Sequence, residues 1–318
     1  EFRRVLFRSE KTLVDYYYVN YPQVFDGEEH EGYYTQEQIK DVVAYAASKY
    51  INVVPEIEMP GHALAALASY PELSFDSTQT YKVSPTWGVF EQVFCPSETT
   101  FKFFEGVMDE VVELFPSEYI HIGGDECPKT AWKNSAFCQQ LIRQLGLKDD
   151  VTPSKVDGVK HSKEDKLQSY FVTRMEKYLN DKGRNIIGWD EILEGGLAPN
   201  ATVMSWRGVE GGLNAAKAGH NAIMTPMPYA YLDFYQEDPA IAPTTIGGYT
   251  TLKKTYSYNP APDDADELVK KHVIGMQGNI WREYMKNSDR TDYQAFPRAM
   301  AIAETGWTLD ANIMAGRD

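Results

Sequence analysis

The stretch HIGGDE, residues 121–126, joins the end of an apolar run to two adjacent acids. Isoleucines on both sides of His121 are typical of a buried strand. The two glycines remove side chains just before the acids and allow backbone or ligand to approach closely. Adjacent acids such as Asp125 and Glu126 usually lie on a solvated surface. At the end of a buried strand they indicate a functional site instead.

Segments typical of helices and strands alternate along the chain. Residues 34–50 have apolar side chains at helical spacing, with Thr35 as the predicted N-cap. Further helices are predicted at 99–115, 166–183, 210–218 and 264–272. The six apolar runs predicted as strands are INVVPEIEM, YIHIGG, NIIGW, ATVMSW, NAIMTP and VIGMQGNIW. This alternation predicts parallel strands with crossover helices. The polar stretch 146–166 is predicted to be a surface loop before a helix that begins at 167.

Two architectures fit this alternation, a doubly wound open sheet and a (β/α)8 TIM barrel. A nucleotide-binding sheet has little support, since no GxGxxG or Walker sequence follows the first strand. The apolar runs end in polar or aromatic groups: Glu58 with His62, Asp125 with Glu126, Trp189 with Asp190 and Glu191, Trp206 with Arg207, and Trp281 with Glu283. A barrel gathers the carboxyl ends of its strands at one mouth, so this pattern favours the barrel.

The count of strands is two short of a closed barrel. The first nine residues, EFRRVLFRS, are typical of a translated sequencing adapter and are excluded from the fold. We therefore expect residues 10–318 to be a partial TIM-barrel catalytic domain that lacks about the first two strands.

Composition excludes several classes of partner. The chain has 318 residues with 31 Lys plus Arg against 46 Asp plus Glu, a net charge of −15, which disfavours nucleic acid. Aromatic residues make up 13% of the chain, which suits stacking on sugars, and we see no membrane-length apolar run. Cys95, Cys127 and Cys138 lack the spacing of zinc ligands, so no metal site is predicted.

Several motifs together resemble the β-N-acetylhexosaminidases of glycoside hydrolase family 20. They cover roughly residues 34–307, in the family's order: EIEMPGH (56–62), HIGGDE (121–126), GWDEIL (188–193), SWRG (205–208), YLD (231–233) and GNIWRE (278–283). The resemblance implies a (β/α)8 barrel and a substrate-assisted retaining mechanism. It also implies exo-acting hydrolysis of terminal N-acetylglucosamine or N-acetylgalactosamine, with glycans as partners and no cofactor.

The resemblance also implies the roles of individual residues. Glu126 would be the general acid and base, and the substrate's 2-acetamido carbonyl would be the nucleophile. Asp125 would orient the acetamido N–H and stabilise its developing charge. Tyr231 would donate its hydroxyl to the acetamido oxygen. Adjacent side chains on an extended segment diverge, so we expect the two acids to face different parts of the sugar.

Six further residues are predicted to contact the sugar or the catalytic acid. Trp189, Trp206 and Trp281 match the family's acetamido-pocket tryptophans, although each also fits a barrel core. Asp233 and Glu283 would bind ring hydroxyls. His62 resembles a family histidine near the catalytic acid, while a histidine after a Pro-Gly turn is structural equally often.

The sequence departs from the family at two positions, and two other functions remain open. An arginine on the family's first strand and an acid in its second-strand motif have no counterpart here, so an inactive fragment is one expectation. A conventional retaining glycosidase with Glu191 as nucleophile is a second reading, and a non-catalytic glycan-binding barrel is a third. The family suggests a periplasmic or secreted location, with no signal region in this chain.

Overall fold

A computed structural model describes residues 33–84 and 88–307. The predicted adapter at 1–9 lies outside the described residues, and the expectation that the first two strands are lacking stays a prediction. Within them the chain divides into two compact units, residues 33–202 and 203–307. Among the described residues, no helix is long and apolar enough to cross a membrane.

Unit 1 alternates helices with two parallel strands. Its helices are α1 (Gln36–Ser48), α2 (Leu64–Ser69), α3 (Glu98–Leu114), α4 (Thr130–Asn134), α5 (Ala136–Gln144) and α6 (Lys163–Asp181), and its strands are β1 (Tyr119–His121) and β2 (Asn185–Trp189). Short 3-10 turns follow α2 at Pro71–Leu73 and β2 at Asp190–Leu193. Thr35 caps α1 in a reciprocal capping box with Gln38, so the predicted cap is confirmed.

The prediction that INVVPEIEM forms a regular strand is wrong. Its second half lies parallel to β1: the N–H of Ile57 donates to the carbonyl of His121 at 2.9 Å, and Met59 N donates to Ile122 O at 3.1 Å. A single bridge between Glu56 and His121 marks this pairing. Pro55 has no N–H to donate, and pairing with β1 begins at this residue.

The core of unit 1 between α3 and α6 is aromatic. Phe101 of α3 and Phe171 of α6 are fully buried, with ring centroids 4.8 Å apart. The α6 helix begins at Lys163, four residues before the predicted start, because Ser162 and Asp165 form a capping box. The predicted loop 146–166 is therefore shorter than expected. Helices α4 and α5 within 130–144 were not predicted.

Unit 2 contains three parallel strands and six helices. The strands are β3 (Thr202–Ser205, which begins at the last residue of unit 1), β4 (Ala222–Met224) and β5 (Val273–Met276). The helices are α7 (Glu210–Lys217), α8 (Met227–Ala230), α9 (Leu252–Tyr256), α10 (Glu267–His272), α11 (Ser288–Ala295) and α12 (Arg298–Trp307). β4 pairs with both β3 and β5 in parallel.

The strand predicted over VIGMQGNIW is shorter than expected, because β5 ends at Met276. Beyond it the backbone of Asn279 still bridges Tyr231 in parallel. The N–H of Leu232 donates to Asn279 O at 2.7 Å, and Asn279 N donates to Ala230 O at 2.8 Å. This pair of hydrogen bonds fixes the backbone on both sides of Tyr231.

Candidate active site

The two acids follow a tight turn rather than an extended segment. Gly123, Gly124 and Glu126 have φ angles of 68°, 95° and 44°, all in the left-handed region. The expectation that the acids diverge because they lie on an extended segment is therefore wrong. A Cβ on Gly123 would lie 2.1 Å from the carboxylate of Glu58, so this position requires glycine.

Glu58 and Asp125 form a carboxyl pair below this turn. The N–H of Gly124 donates to Glu58 Oε1 at 2.9 Å. Burial raises the pKa of Glu58 well above its usual value, and the charge of Asp125 raises it further. Burial alone would also raise the pKa of Asp125, but hydrogen bonds from His62 and Glu58 hold it below its usual value. Glu58 therefore keeps the proton and Asp125 stays ionised.

His62 contacts both members of the acid pair that the sequence singled out. Its Nε2 lies 3.3 Å from Asp125 Oδ2 and 3.4 Å from Glu126 Oε2. The hydrogen bond to Asp125 raises the pKa of His62, and the negative charges of both acids add to this. The side chain of Glu126 is 37% exposed and that of Asp125 is 15% exposed. Glu126 is thus the carboxyl more accessible to a ligand.

A second acid of the EIEMPGH motif, Glu56, connects this cluster to Trp189. Trp189 is buried, and its indole Nε1 donates to Glu56 Oε1 at 2.9 Å. Burial raises the pKa of Glu56 to about 7. His121 lies beside Trp189 with ring centroids 4.8 Å apart, and burial lowers its pKa to about 3. A neutral histidine thus accepts the Gly123 N–H at Nδ1, at 3.0 Å, and helps to fix the turn.

Two overlapping groups have the spacing of a cation site. The ligand atoms of His62, Asp125 and Glu126 lie within 4.8 Å of one another, and so do those of Glu56, Glu58 and Asp125. Acid clusters of this kind are common without an ion, and Glu58 here accepts a backbone N–H. The expected absence of a metal stays a prediction.

In unit 2 the structure brings Tyr231 next to Trp206. Their ring centroids lie 6.3 Å apart at an interplanar angle of 31°, and Tyr231 is buried. The main chain of Trp206 accepts the N–H of Met227, the first residue of α8, at 2.8 Å. Trp281 is 38% exposed. The tyrosine and one of the predicted pocket tryptophans therefore form one aromatic surface.

Asp233 is a buried carboxylate. It is 3% exposed, and its Oδ1 has no hydrogen-bond partner among the described residues. Burial raises the pKa of Asp233 to about 7, and the nearby negative charge of Glu283 also raises it. Glu283 itself is exposed. Such a pair of acceptors, one buried and one exposed, suits hydroxyl binding.

Arg298 and Gln294 hold the backbone around Asp233, and the sequence reasoning missed both. The guanidinium of Arg298 is fully buried and donates to the main-chain carbonyls of Leu232, Phe234, Thr250 and Gln294. The side chain of Gln294 donates to Asp233 O at 3.0 Å. The signal in the sequence was weak, because Arg298 lies in an ordinary helix start, FPRAM.

Sequence comparisons with known proteins agree on one family. The sequence profile described as Glycosyl hydrolase family 20, catalytic domain, matches residues 8–310. The chain is 50% identical over 285 residues to a beta-hexosaminidase of Porphyromonas gingivalis, covering 89% of this chain and 35% of that protein. It is 36% identical to a beta-hexosaminidase of Vibrio furnissii, covering 91% of this chain and 45% of that protein.

Solved structures agree with these sequence matches. An exo β-N-acetylglucosaminidase of Vibrio harveyi, solved with N-acetylglucosamine, is 32% identical with a TM-score of 0.74, covering 91% of this chain and 44% of that one. A β-N-acetylhexosaminidase of Bacteroides fragilis is 31% identical with a TM-score of 0.71, covering 96% and 58%.

The chain spans 35% to 55% of the length of the first three curated relatives. Catalytic domains in this family are (β/α)8 barrels, so the predicted fold class is confirmed. The chain belongs to glycosyl hydrolase family 20, and its residues 8–310 correspond to the family's catalytic domain.

Proposed function

We propose that the protein is an exo-acting β-N-acetylhexosaminidase, which removes terminal N-acetylglucosamine or N-acetylgalactosamine from glycans. The observation that carries the proposal is the contact of His62 with both Asp125 and Glu126, in which Glu126 is the more exposed acid. The names of the relatives support the same activity. A periplasmic or secreted location is part of the proposal, and cell fractionation tests it.

In the proposed first step, protonated Glu126 gives its proton to the glycosidic oxygen as the bond from C1 to that oxygen breaks. The 2-acetamido carbonyl oxygen attacks C1 from the opposite face, which forms an oxazolinium ion. In the second step the Glu126 carboxylate takes a proton from water, and the water oxygen attacks C1 and opens the ring. Two inversions at C1 retain the anomeric configuration.

The environment of Asp125 supports its predicted role. The oxazolinium nitrogen carries developing positive charge, so a fixed negative charge beside it lowers the barrier. Hydrogen bonds from His62 and protonated Glu58 hold the pKa of Asp125 low and keep it ionised. His62 would also act on Glu126 electrostatically, since its Nε2 contacts that carboxylate too.

The roles in unit 2 follow the resemblance. Tyr231 would donate to the acetamido oxygen and hold it near C1. Trp206 would cover one side of the acetamido methyl group, with Trp189 and Trp281 as the other predicted pocket walls. Asp233 and Glu283 would accept hydrogen bonds from ring hydroxyls. The 38% exposure of Trp281 is compatible with a side chain that a sugar covers on binding.

The test measures release of nitrophenol from an aryl N-acetyl-β-glucosaminide and an aryl N-acetyl-β-galactosaminide. We expect Glu126→Gln to lower kcat by about 100-fold or more, as for loss of a general acid and base. Asp125→Asn should lower kcat with little change in KM. Glu113→Gln serves as the matched control, because Glu113 is an exposed acid of α3. Undiminished kcat in Glu126→Gln would contradict the proposal.

The conventional retaining mechanism through Glu191 predicts different substrates. Glu191 is buried in the turn after β2 and lies close enough to His62 to affect its pKa. That mechanism would cleave an aryl β-glucoside, which lacks the acetamido nucleophile, and would trap a fluorosugar on Glu191. We expect no turnover of the glucoside. Sugar binding without turnover of any glycoside would favour the glycan-binding barrel.

A further inference from the structure

Glu56 joins the indole of Trp189 to the strand that precedes the acids. Trp189 is buried, and its Nε1–H donates to Glu56 Oε1 at 2.9 Å, although the two residues lie 133 positions apart in sequence. A buried indole N–H needs an acceptor, because an unpaired donor away from water is costly. The torsion that turns an indole ring about its bond to Cβ has broad minima. The hydrogen bond to Glu56 therefore fixes the plane of the Trp189 ring.

The backbone of Glu56 is fixed by β1 on both sides of the residue. The N–H of His121 donates to Pro55 O at 2.9 Å, and the N–H of Ile57 donates to His121 O at 2.9 Å. A parallel bridge pairs Glu56 itself with His121. The carboxylate of Glu56 therefore reaches Trp189, at the end of β2, from a rigid base.

The same ring is tied to the turn that leads to the two acids. His121 Nδ1 accepts the N–H of Gly123 at 3.0 Å, and Gly123 O accepts the main-chain N–H of Trp189 at 2.9 Å. The rings of His121 and Trp189 pack with their centroids 4.8 Å apart. Trp189 is thus held through its backbone by the turn, through its ring by His121, and through its Nε1 by Glu56.

An ion pair with His121 does not explain the place of Glu56. His121 Nδ1 lies 3.4 Å from Glu56 Oε1. That nitrogen accepts the N–H of Gly123, so it carries no proton to give to the carboxylate. The hydrogen bond from Trp189 is therefore the contact that sets the direction of the Glu56 side chain.

We propose that Glu56 is a positioning residue, which fixes the Trp189 ring as a rigid wall of the acetamido pocket and so sets which N-acyl groups the enzyme accepts. This role rests on the proposed function, in which Trp189 is one of the pocket walls. A fixed aromatic wall leaves room for a methyl group and rejects a longer acyl chain, because it does not turn aside. One methylene in an apolar pocket is worth roughly 10-fold or more in kcat/KM.

The experiment compares release of nitrophenol from the aryl 2-acetamido substrate and from its 2-propionamido analogue, in variants that separate reach from charge. Glu56→Gln keeps an acceptor oxygen within reach of the indole but loses the charge. Glu56→Asp keeps the charge, but its side chain is one methylene shorter. We expect Glu56→Gln to keep the wild-type ratio of kcat/KM for the two substrates, and Glu56→Asp and Glu56→Ala to lower that preference for the acetamide about fivefold or more.

A purely electrostatic role predicts the opposite pattern. If Glu56 acted only through its charge on Asp125 and His62, Glu56→Asp would behave as wild type, and Glu56→Gln would lower kcat for both substrates without a change in their ratio. An unchanged ratio in Glu56→Asp and Glu56→Ala, or an equal fall of the ratio in Glu56→Gln, would overturn the proposal. Glu113→Ala is the matched control, because Glu113 is an exposed acid of α3.

Indole resonances test the positioning without any turnover. In an isotope-labelled chain, the signal lost in Trp189→Phe identifies the Nε1–H of Trp189 among those of the 6 Trp. We expect this proton to exchange with water slowly in wild type and in Glu56→Gln, and about tenfold faster or more in Glu56→Ala, while the other indole signals keep their positions. Equally slow exchange in Glu56→Ala would rule out the role of Glu56. The expected change in exchange, found in a chain without turnover of either substrate, would count against the proposed function and not against the positioning.

Discussion

At the residue scale, both the backbone conformation and a neighbouring side chain restrict position 123 to glycine. Its φ of 68° and the adjacent carboxylate of Glu58 both exclude a side chain. Gly146 has the same φ of 68°, but no atom lies within 4 Å of the place that a Cβ would occupy there. The two glycines therefore separate the cost of backbone conformation from the cost of steric overlap.

We predict that Gly123→Ala destabilises the chain more than Gly146→Ala does. The left-handed conformation costs an alanine roughly 1–2 kcal/mol at either position. At Gly123 the new methyl also displaces the buried carboxyl of Glu58, which adds about 2 kcal/mol or more. Urea unfolding of both variants measures the difference. Equal losses would show that Glu58 moves aside without cost.

Asp233 lowers the stability of the folded chain, because the fold buries its ionised carboxylate. Its pKa of about 7 in the folded chain exceeds the usual value of 3.8, because burial penalises the carboxylate. The penalty is absent below about pH 4, where both states are protonated, and is complete above about pH 7. We predict that Asp233→Asn stabilises the chain by about 2 kcal/mol at pH 8 and by little at pH 4.

Urea unfolding at the two pH values checks this prediction, with Glu113→Gln as the control for loss of an exposed acid. Asp233→Asn should also weaken sugar binding if the proposed function holds. A variant that is less stable than wild type at pH 8 would contradict the burial argument.

At the element scale, Arg298 acts as a clamp for the segment between α8 and α9. Four main-chain carbonyls, of Leu232, Phe234, Thr250 and Gln294, accept its hydrogen bonds. Burial lowers the pKa of Arg298 to about 10, which still leaves the guanidinium charged at neutral pH. The clamp holds the ends of the loop that begins with Tyr231 and Asp233.

We predict that Arg298→Met destabilises the chain by about 3 kcal/mol or more, because it leaves buried carbonyls without donors. Arg298→Lys should recover part of the loss, since it keeps fewer donors. Met300→Ala, an exposed change in the same helix, should have little effect. Hydrogen exchange should quicken at the amides of Leu232 and Thr250 while β4 stays protected. Unchanged exchange at those amides would refute the clamp.

Element boundaries could be predicted where caps and apolar spacing agree. Thr35 and the apolar residues of α1 gave both its type and its start. Helices α4 and α5 escaped prediction because each is short, and Ser135 ends the first and caps the second. Strands were predicted too long, since apolar composition continues past the last ladder hydrogen bond.

The site could be predicted only in part. The adjacency of Asp125 and Glu126 is read directly from the sequence, whereas the motif left His62 open between a position near the acid and a structural role. The pairing of Glu58 with the Gly124 N–H joins residues 66 positions apart, and Arg298 reaches Leu232 across the same separation. Such contacts depend on tertiary structure, which local patterns do not contain.

At the scale of the whole molecule, several shifted pKa values combine to set the pH dependence of stability. The raised pKa values of Glu56, Glu58 and Asp233 mean that these carboxyls bind protons in the folded chain at higher pH than in the unfolded one. Stability due to them is therefore fully present below about pH 4 and is lost as pH rises through 7. The raised pKa of His62 acts in the same direction.

His121 acts in the opposite direction at lower pH. Its pKa falls from 6.5 to about 3 on folding, so the unfolded chain binds the proton more readily below pH 6.5. Stability from this group is complete above that pH and is lost as pH falls. Between about pH 4 and 6.5 the three raised carboxyls outweigh His121, so we predict that the stability due to these groups is greatest near pH 4 and falls as pH rises to about 7.

Melting temperatures between pH 3 and 9 at constant ionic strength test this decline. Asp233→Asn should reduce the decline above pH 4, and His121→Asn should change the loss of stability at lower pH. Rising stability from pH 4.5 to pH 7 would contradict the assignment of the raised carboxyls.

The clamp at Arg298 has a consequence for evolution and for protein engineering. Each hydrogen bond that the guanidinium makes among the described residues goes to a main-chain carbonyl, which every amino acid supplies. Side chains between Phe234 and Thr250 can therefore be exchanged without loss of an acceptor. Natural selection, or a designer, can therefore vary side chains of that loop while the anchor stays intact, except at Gly248, where a Cβ would meet the ring of Phe234.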